Sequence, residues 1–125
     1  MMEITRSHAR SWAERYFLAW QTNDRATVES LFSEDAVYFY GPFRPPARGR
    51  DTIVARWLEH AQPDVTSQFE VVAVEHRVAV IHWRVAFQGN GQRELDGVLI
   101  VRFDADGLCC EHREWYVERM VTQQS

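Results

Sequence analysis

Residues 78–104 have the sequence VAVIHWRVAFQGNGQRELDGVLIVRFD, and they carry the clearest structural pattern in the chain. Apolar and polar residues alternate through residues 78–88 and again through residues 92–104, which is the period of a half-buried β-strand. The segment Gly89-Asn90-Gly91 between the two runs is typical of a tight hairpin turn. The sequence therefore predicts a long antiparallel hairpin.

The two faces of this hairpin differ in polarity. One face of each strand is apolar, and it carries Ala79, Ile81, Trp83, Val85 and Phe87 in the first strand and Leu95, Gly97, Leu99, Val101 and Phe103 in the second. The opposite face carries polar side chains such as His82 and Arg84. Because successive side chains of a strand point to opposite faces, we expect Trp83 inside the protein and Arg84 outside.

Helical patterns precede the hairpin. Through residues 9–20, apolar residues recur at three- and four-residue spacing, and Thr5 or Ser7 can cap the start of this helix. Asp24 can cap a shorter second helix, and Asp51 can cap a third helix, which ends by Pro63.

Further strands are expected at residues 36–40, 67–75 and 108–119, whereas the proline-rich residues 41–46 interrupt regular structure. Helices come first and antiparallel strands follow, which predicts an α+β fold and not a parallel α/β sheet. In the last strand neither face is plainly apolar. One face carries Leu108, Cys110, His112, Glu114 and Tyr116, and the other carries Cys109, Glu111, Arg113, Trp115 and Val117.

Size and charge exclude several classes of protein. The chain has 125 residues, which fits a single domain over residues 1–125. A net charge of -4 without a basic run argues against nucleic acid binding. All basic residues are arginine, which we interpret as the codon bias of a GC-rich bacterial genome. Residues 1–10 lack a signal core and no stretch approaches the roughly 18 apolar residues of a membrane span, so we expect a cytoplasmic protein that binds no membrane.

The sequence offers no cofactor or metal site. Cys109 and Cys110 are adjacent, which argues against a disulfide between them, and we expect two free thiols. His76, His82 and His112 lie on different segments, so no cluster has the spacing of metal ligands. A glycine-rich phosphate loop and a nucleophile elbow are also missing from the sequence.

Four short segments, in this order, resemble the nuclear transport factor 2-like superfamily. They are Arg15-Tyr16-Phe17, Leu31-Phe32-Ser33-Glu34-Asp35-Ala36, Gly49-Arg50-Asp51, and Gly107 followed by Arg113-Glu114-Trp115-Tyr116. The groups they resemble most are the SnoaL-like polyketide cyclases, the steroid Δ5-isomerases and the limonene epoxide hydrolases. The resemblance covers nearly the whole chain. It implies a cone-shaped fold, with N-terminal helices packed on a strongly curved, mostly antiparallel mixed sheet that encloses a pocket.

The steroid isomerases are matched at one position of three. Tyr16 falls where they carry an oxyanion-binding tyrosine. Tyr40 stands at the position of their catalytic aspartate, and Leu99 at that of their second acid. The resemblance therefore argues against steroid-type isomerisation.

The epoxide hydrolases are also matched in part. Tyr38 matches their tyrosine, and Glu114 falls where their water-activating aspartate lies. Tyr40 replaces their asparagine. Arg84 matches their arginine, but Ala86 replaces its acidic partner. Arg84 would face inward only if a β-bulge interrupted the strand at residues 78–88.

The resemblance implies that the face with His112 and Glu114 lines the pocket. Burial raises the pKa of a carboxyl group toward the range of a general acid or base. We therefore predict Glu114, His112 and Tyr16 as catalytic residues, with Tyr16 steadying an oxyanion. The predicted substrate-binding residues are Tyr38, Tyr40, Trp20, Trp57, Trp83 and Leu99. The structural alternatives are a Glu114 paired with an arginine, a hydrogen-bonded interior His112 and a packing role for Tyr16.

Three functions compete. The first is a cofactor-free enzyme that performs isomerisation, cyclisation or water addition on a small apolar molecule. The second is a module that binds such a molecule without chemistry. The third is an interaction domain. A homodimer is expected under all three, through the outer sheet face that carries Val80, His82, Arg84, Arg113 and Trp115.

Overall fold

The computed structural model describes residues 3–89 and 91–121. The helices are α1 Arg6–Thr22, α2 Arg25–Leu31 and α3 Arg50–Glu59. The strands are β1 Phe32–Phe39, β2 Ala47–Arg48, β3 Thr66–Glu75, β4 Val78–Gly89, β5 Gly91–Phe103 and β6 Cys109–Val121. The predicted α+β order is confirmed, with the short strand β2 as an addition. Asn90 of the predicted turn lies outside the described residues.

The strands form a six-stranded mixed sheet in the order β2-β1-β6-β5-β4-β3. Neighbouring strands are antiparallel, except that β1 and β6 are parallel. Helix α1 packs against β3 and β4, whereas α3 packs against β1 and β2 at the opposite edge. Both helices therefore lie over the same inner face, and the interior of the protein is between them and the sheet.

Two of the three N-cap residues predicted from the sequence are confirmed. Thr5 Oγ1 accepts a hydrogen bond from the His8 N–H at 3.0 Å, and Asp24 accepts one from the Thr27 N–H at 3.1 Å. The predicted cap at Asp51 was wrong, because Gly49 occupies the N-cap position of α3 and Asp51 lies in its first turn. A carboxylate in the first turn still interacts favourably with the helix dipole.

Strands β4 and β5 pair without a register shift from Val78 opposite Arg102 to Gly89 opposite Gly91. Alternation therefore holds along all of β4, and Trp83 is buried with 1% of its surface exposed. Arg84 lies on the outer face, where its guanidinium contacts the carboxylate of Asp96 at 2.9 Å. The expectation that Trp83 faces inward is confirmed, and the bulge that would turn Arg84 inward does not occur.

Strand β6 does contain a bulge. Arg102 lies opposite Glu111, whereas Phe103 lies opposite Cys109, so Cys110 is the extra residue. As a result Cys109 is buried together with His112, and Cys110 is partly exposed. The prediction that Cys110 shares a face with His112 was wrong for this reason. Both cysteines are free thiols, as expected.

Close packing in the middle of the sheet requires a glycine. A Cβ atom at Gly97 would lie 2.2 Å from the Trp115 carbonyl oxygen and 2.9 Å from the Trp83 Cζ2 atom. The indole of Trp83 therefore lies over a position that only glycine can fill. Within the described part of the chain, no helix is long and apolar enough to cross a membrane.

Candidate functional site

A cavity of about 580 Å³ opens between α1, α3, the proline-rich loop and the inner face of the sheet. This volume lies in the range of small-molecule sites. Seven of the nine predicted site residues line it, namely Tyr16, Trp20, Tyr38, Tyr40, Trp57, Trp83 and Glu114. His112 and Leu99 are absent from the lining, and both are fully buried behind it.

Glu114 is a buried carboxyl group in the wall of the cavity, with 7% of its surface exposed. The Tyr38 hydroxyl donates a hydrogen bond to Glu114 Oε2 at 3.2 Å. Among the described residues, 3–89 and 91–121, no ion pair includes Glu114. Burial raises the pKa of Glu114 to about 8, against the opposing effects of the Tyr38 hydrogen bond and the positive charge of Arg44. The carboxyl group is therefore mostly protonated at pH 7.

The tyrosines extend a hydrogen-bonded chain from Glu114 into the protein. The hydroxyls of Tyr16 and Tyr38 lie 2.9 Å apart. Burial, reinforced by the negative charge of Glu114, raises the pKa of both phenols well above the ordinary value, so both stay protonated. When Glu114 is ionised, Tyr38 donates to it and its oxygen can accept from Tyr16. Tyr16 is thus linked to Glu114 through Tyr38, while it also lines the cavity.

His112 supports Tyr38 from the interior. Its ring stacks on the Tyr38 ring at 3.9 Å between centroids and on the Tyr16 ring at 5.3 Å. Neither ring nitrogen has a hydrogen-bond partner among the described residues. Burial lowers the pKa of His112 to about 3, so the imidazole is neutral. Since His112 does not line the cavity, the structure puts it one layer behind the residues that a ligand can touch.

Two arginines that were not predicted from the sequence lie at the exposed edge of the cavity. Arg44 is exposed on the proline-rich loop, and Arg56 is half-buried on α3. The Arg56 guanidinium lies 5.8 Å from the centroid of the Tyr40 ring. Burial raises the pKa of Tyr40 to about 12, although Arg56 opposes the shift. The sequence does contain one signal that Arg56 lies near the cavity, since it precedes Trp57, a predicted wall residue, on the third helix.

Two further lining residues carry buried polar atoms without partners. They are Asn23, at its Oδ1 atom, and Trp83, at its Nε1 atom; neither atom has a hydrogen-bond partner among the described residues. By contrast, Trp20 donates from Nε1 to Gln62 Oε1 at 2.8 Å. Buried polar atoms are normally satisfied, so these two atoms indicate positions where a water molecule or a ligand would be stabilised.

The model of the SnoaL-like domain family matches residues 13–112. The chain belongs to this family. No curated protein matches its sequence.

Solved structures show the same fold at low sequence identity. RV0760c from Mycobacterium tuberculosis superposes on this SnoaL-like domain with a TM-score of 0.77 and 18% identity, over 94% of this chain and 100% of that chain. A protein of unknown function with a cystatin-like fold from Methylobium petroleophilum PM1 has a TM-score of 0.72 and 24% identity, over 99% and 82% of the two chains. An LEH-like epoxide hydrolase of M. tuberculosis has a TM-score of 0.70 and 16% identity, over 89% and 84%.

Of the residues whose positions resemble those of the epoxide hydrolases, two lie together and one does not. Tyr38 and Glu114 meet in the cavity. Arg84 lies on the outer face with Asp96 and cannot reach that cavity. Within the described residues, no group of three or more His, Cys, Asp or Glu side chains is arranged to hold a metal ion. A buried carboxyl group with phenol hydrogen-bond donors beside it is an arrangement suited to proton transfer.

Proposed function

We propose that this SnoaL-like domain is a cofactor-free enzyme that transfers a proton on a small, mostly apolar molecule, with Glu114 as the acid and base. The observation that carries the proposal is a carboxyl group buried in the wall of an aromatic cavity without an ion pair among the described residues. An interior carboxyl group lowers stability unless it is compensated, so one that lines a ligand-sized cavity with a single hydrogen bond and no ion pair among the described residues favours a chemical role.

In this proposal the two carboxyl oxygens of Glu114 have different roles. Oε2 accepts the hydrogen bond from Tyr38, which leaves Oε1 to exchange a proton with the ligand. Tyr38 is held in place by Tyr16 and by the stacked ring of His112. Tyr40 supplies a second phenol in the wall, suited to a developing oxyanion. Isomerisation, cyclisation and water addition all require this kind of proton transfer.

The uptake of deuterium from heavy water by candidate substrates tests the proposal without knowledge of the product. A panel of cyclic enones, other ketones and epoxides is incubated with the protein, and deuterium uptake and new products are followed by mass spectrometry. For a compound that reacts, Glu114→Gln should lower the rate at least about 100-fold, the usual contribution of a general acid or base. The exposed Glu34→Gln is the matched control, and it should leave the rate unchanged.

The pH dependence gives a second readout of the same residue. The rate should titrate with an apparent pKa near 8, because burial holds the pKa of Glu114 at about that value. A rate that Glu114→Gln leaves intact, or that shows no titration in this range, would remove Glu114 from the mechanism.

A binding module without chemistry is the second candidate. It is favoured by the incomplete residue sets, since Leu99 is buried behind the cavity and Arg84 lies on the outer face. Saturable binding of a compound that is never converted, with Glu114→Gln changing only its affinity, would support this function over the first.

We also propose a homodimer through the outer face of the sheet. Val98 and Trp115 are opposite each other on β5 and β6, and Val117 beside them has 73% of its surface exposed. Ion pairs flank these apolar residues, including Arg84 with Asp96 and Arg119 with Glu94. An apolar centre with a polar rim is the usual anatomy of an interface.

Native mass spectrometry tests this interface. The unmodified protein should give twice the monomer mass, and Trp115→Glu should give the monomer. A monomer at all concentrations would remove the interface. The cavity of about 580 Å³ argues against assembly as the sole role, since an assembly domain does not require a ligand-sized cavity.

A further inference from the structure

We propose that the cavity takes an amphipathic anion, with its apolar body between the aromatic walls and its carboxylate, or a similar single negative charge, held at the exposed edge by Arg44 and Arg56. The inference rests on the proposed function for the use of the cavity. It goes further in naming the class of substrate and the residues that select it.

The first support is that, among the described residues, neither guanidinium group forms an ion pair with a carboxylate. No ion pair within residues 3–89 and 91–121 includes Arg44 or Arg56. Five other arginines pair with carboxylates, namely Arg25, Arg84, Arg93, Arg113 and Arg119. Exposed arginines such as Arg10 and Arg48 also have no ion pair among the described residues, and what distinguishes Arg44 and Arg56 from these is their place in the cavity lining. Arginine is suited to bind a planar carboxylate through two hydrogen bonds, so these two guanidinium groups at the cavity are equipped to bind an anion.

The second support is the balance of charge around the cavity. The acidic side chains in the lining are Glu59 and Glu114, and its basic ones are Arg44, Arg56 and His60. Glu114 is mostly protonated at pH 7, since burial raises its pKa to about 8. Glu59 alone then opposes two guanidinium groups. The edge of the cavity is thus positive in a protein whose net charge is -4, and such a local field attracts anions selectively.

The third support is the order of side chains from the edge to the carboxyl group. The Arg56 guanidinium lies over the Tyr40 ring, at 5.8 Å from its centroid. The Tyr40 ring contacts the Tyr38 ring at 4.4 Å between centroids, and the Tyr38 hydroxyl reaches Glu114. Contacts along one wall of the cavity therefore connect the Arg56 guanidinium to Glu114, the proposed proton-transfer group. A ligand anchored by its anion would present a fixed carbon or oxygen atom to Glu114, which is how enzymes orient an otherwise featureless apolar body.

Two fluorescent probes that differ by one charge test the inference. 1-Anilinonaphthalene-8-sulfonate carries an anion, and N-phenyl-1-naphthylamine is the same ring system without it. In a titration at low salt, the wild-type protein should bind the anionic probe more tightly. The double variant with Arg44→Gln and Arg56→Gln should bind the anionic probe about tenfold or more weakly, whereas its affinity for the neutral probe should fall less than about twofold. Added salt should reduce the preference of the wild-type protein, because it screens exposed charges.

Arg84→Gln is the matched control, since it removes the same charge from the outer face, where Arg84 contacts Asp96. It should leave the affinities of both probes unchanged. Either no saturable binding of the anionic probe, no preference for it in the wild-type protein, or equal weakening of both probes in the double variant would overturn the inference.

A second variant separates this result from the proposed function. Glu114→Gln should keep the preference for the anionic probe, because it leaves both arginines in place. If the preference is present and Glu114→Gln also leaves catalysis intact, the proposed chemistry fails and the anion site stands. If Glu114→Gln abolishes catalysis while the probes are bound with equal affinity, the chemistry stands and the anion site fails.

Discussion

The interior of this SnoaL-like domain has a filled end and an open end, and β6 contributes His112 to the first and Glu114 to the second. At the filled end, His112 lies among aromatic rings that include Trp12, Phe32 and Tyr38. At the open end, Glu114 lines the cavity. Burial favours the neutral form of both residues, which lowers the pKa of His112 to about 3 and raises that of Glu114 to about 8.

The two residues show that a shifted pKa does not by itself mark a functional group. Desolvation acts on His112 and Glu114 in the same way, because it penalises whichever form is charged. They differ in access, since His112 is sealed behind Tyr38 whereas Glu114 can meet a ligand. The filled end is closely packed, and the open end is accessible to a ligand.

The largest expected effect is the difference in stability lost when a tryptophan is truncated at each end. Trp12 is fully buried at the filled end, where its Nε1 donates to the Leu31 carbonyl oxygen at 3.0 Å. Trp12→Ala should lower the free energy of unfolding by about 3–5 kcal/mol, as usual for a buried tryptophan. Trp57→Ala, in the cavity wall, should cost under about 2 kcal/mol, because it enlarges an existing space.

Urea denaturation followed by circular dichroism measures both changes. If Trp12→Ala does not fold, the milder Trp12→Phe replaces it in the comparison with Trp57→Phe. Equal losses at the two ends would mean that the open end is packed as tightly as the filled one.

The next effect is a pH dependence of opposite sign at the two ends. The pKa of Glu114 is raised from 4.5 to about 8, so its contribution to stability is fully present below pH 4.5 and is lost as the pH rises through 8. The pKa of His112 is lowered from 6.5 to about 3, so its contribution is present above pH 6.5 and is lost as the pH falls through 3. Between pH 4.5 and 6.5 the two slopes should offset each other.

Stability of two variants as a function of pH resolves these contributions. Glu114→Gln should remove the loss of stability between pH 6.5 and 8, and His112→Phe should remove the loss between pH 4.5 and 3. The unfolding midpoint in urea, measured at each pH, follows both. A wild-type profile that rises from pH 6.5 to 8 would contradict the assignment of a neutral Glu114.

The smallest effect concerns the hydrogen bond that joins the two ends. Tyr38→Phe removes the donor to Glu114 and the partner of Tyr16, and it should cost about 1 kcal/mol of stability. It should also raise the pKa of Glu114 above 8, because that hydrogen bond lowers it. The midpoint of the pH–rate or pH–stability profile measures the shift. Tyr116→Phe, which removes another hydroxyl from the cavity wall, is the control and should leave the midpoint in place.

The faces of the strands could be predicted from the sequence, but the depth of each residue could not. Alternation correctly placed Trp83 inside and Arg84 outside, and the resemblance correctly turned His112 and Glu114 inward. It could not show that His112 lies at the filled end, since that depends on where the rings of α1 pack. This is why His112 was predicted to touch a ligand although it lies behind Tyr38.

Local irregularities and loops account for the remaining differences. The bulge at Cys110 depends on how β6 pairs with β5 and leaves no pattern in the sequence. Arg44 lies on an irregular loop, so no periodicity predicted which way it faces. The position of Arg56 depends on where α3 crosses the sheet, which is set by packing against β1 and β2.

The parallel pairing of β1 with β6 joins an early part of the chain to a late one. Tyr38 and Glu114, which share the central hydrogen bond, are 76 positions apart in sequence. During synthesis from the N-terminus, the helices and the β4–β5 hairpin can form from neighbouring segments, but β1 must wait for β6 to emerge. We therefore expect the contact between Tyr38 and Glu114 to be among the last to form, and until then the edge of β1 that pairs with β6 has no partner strand.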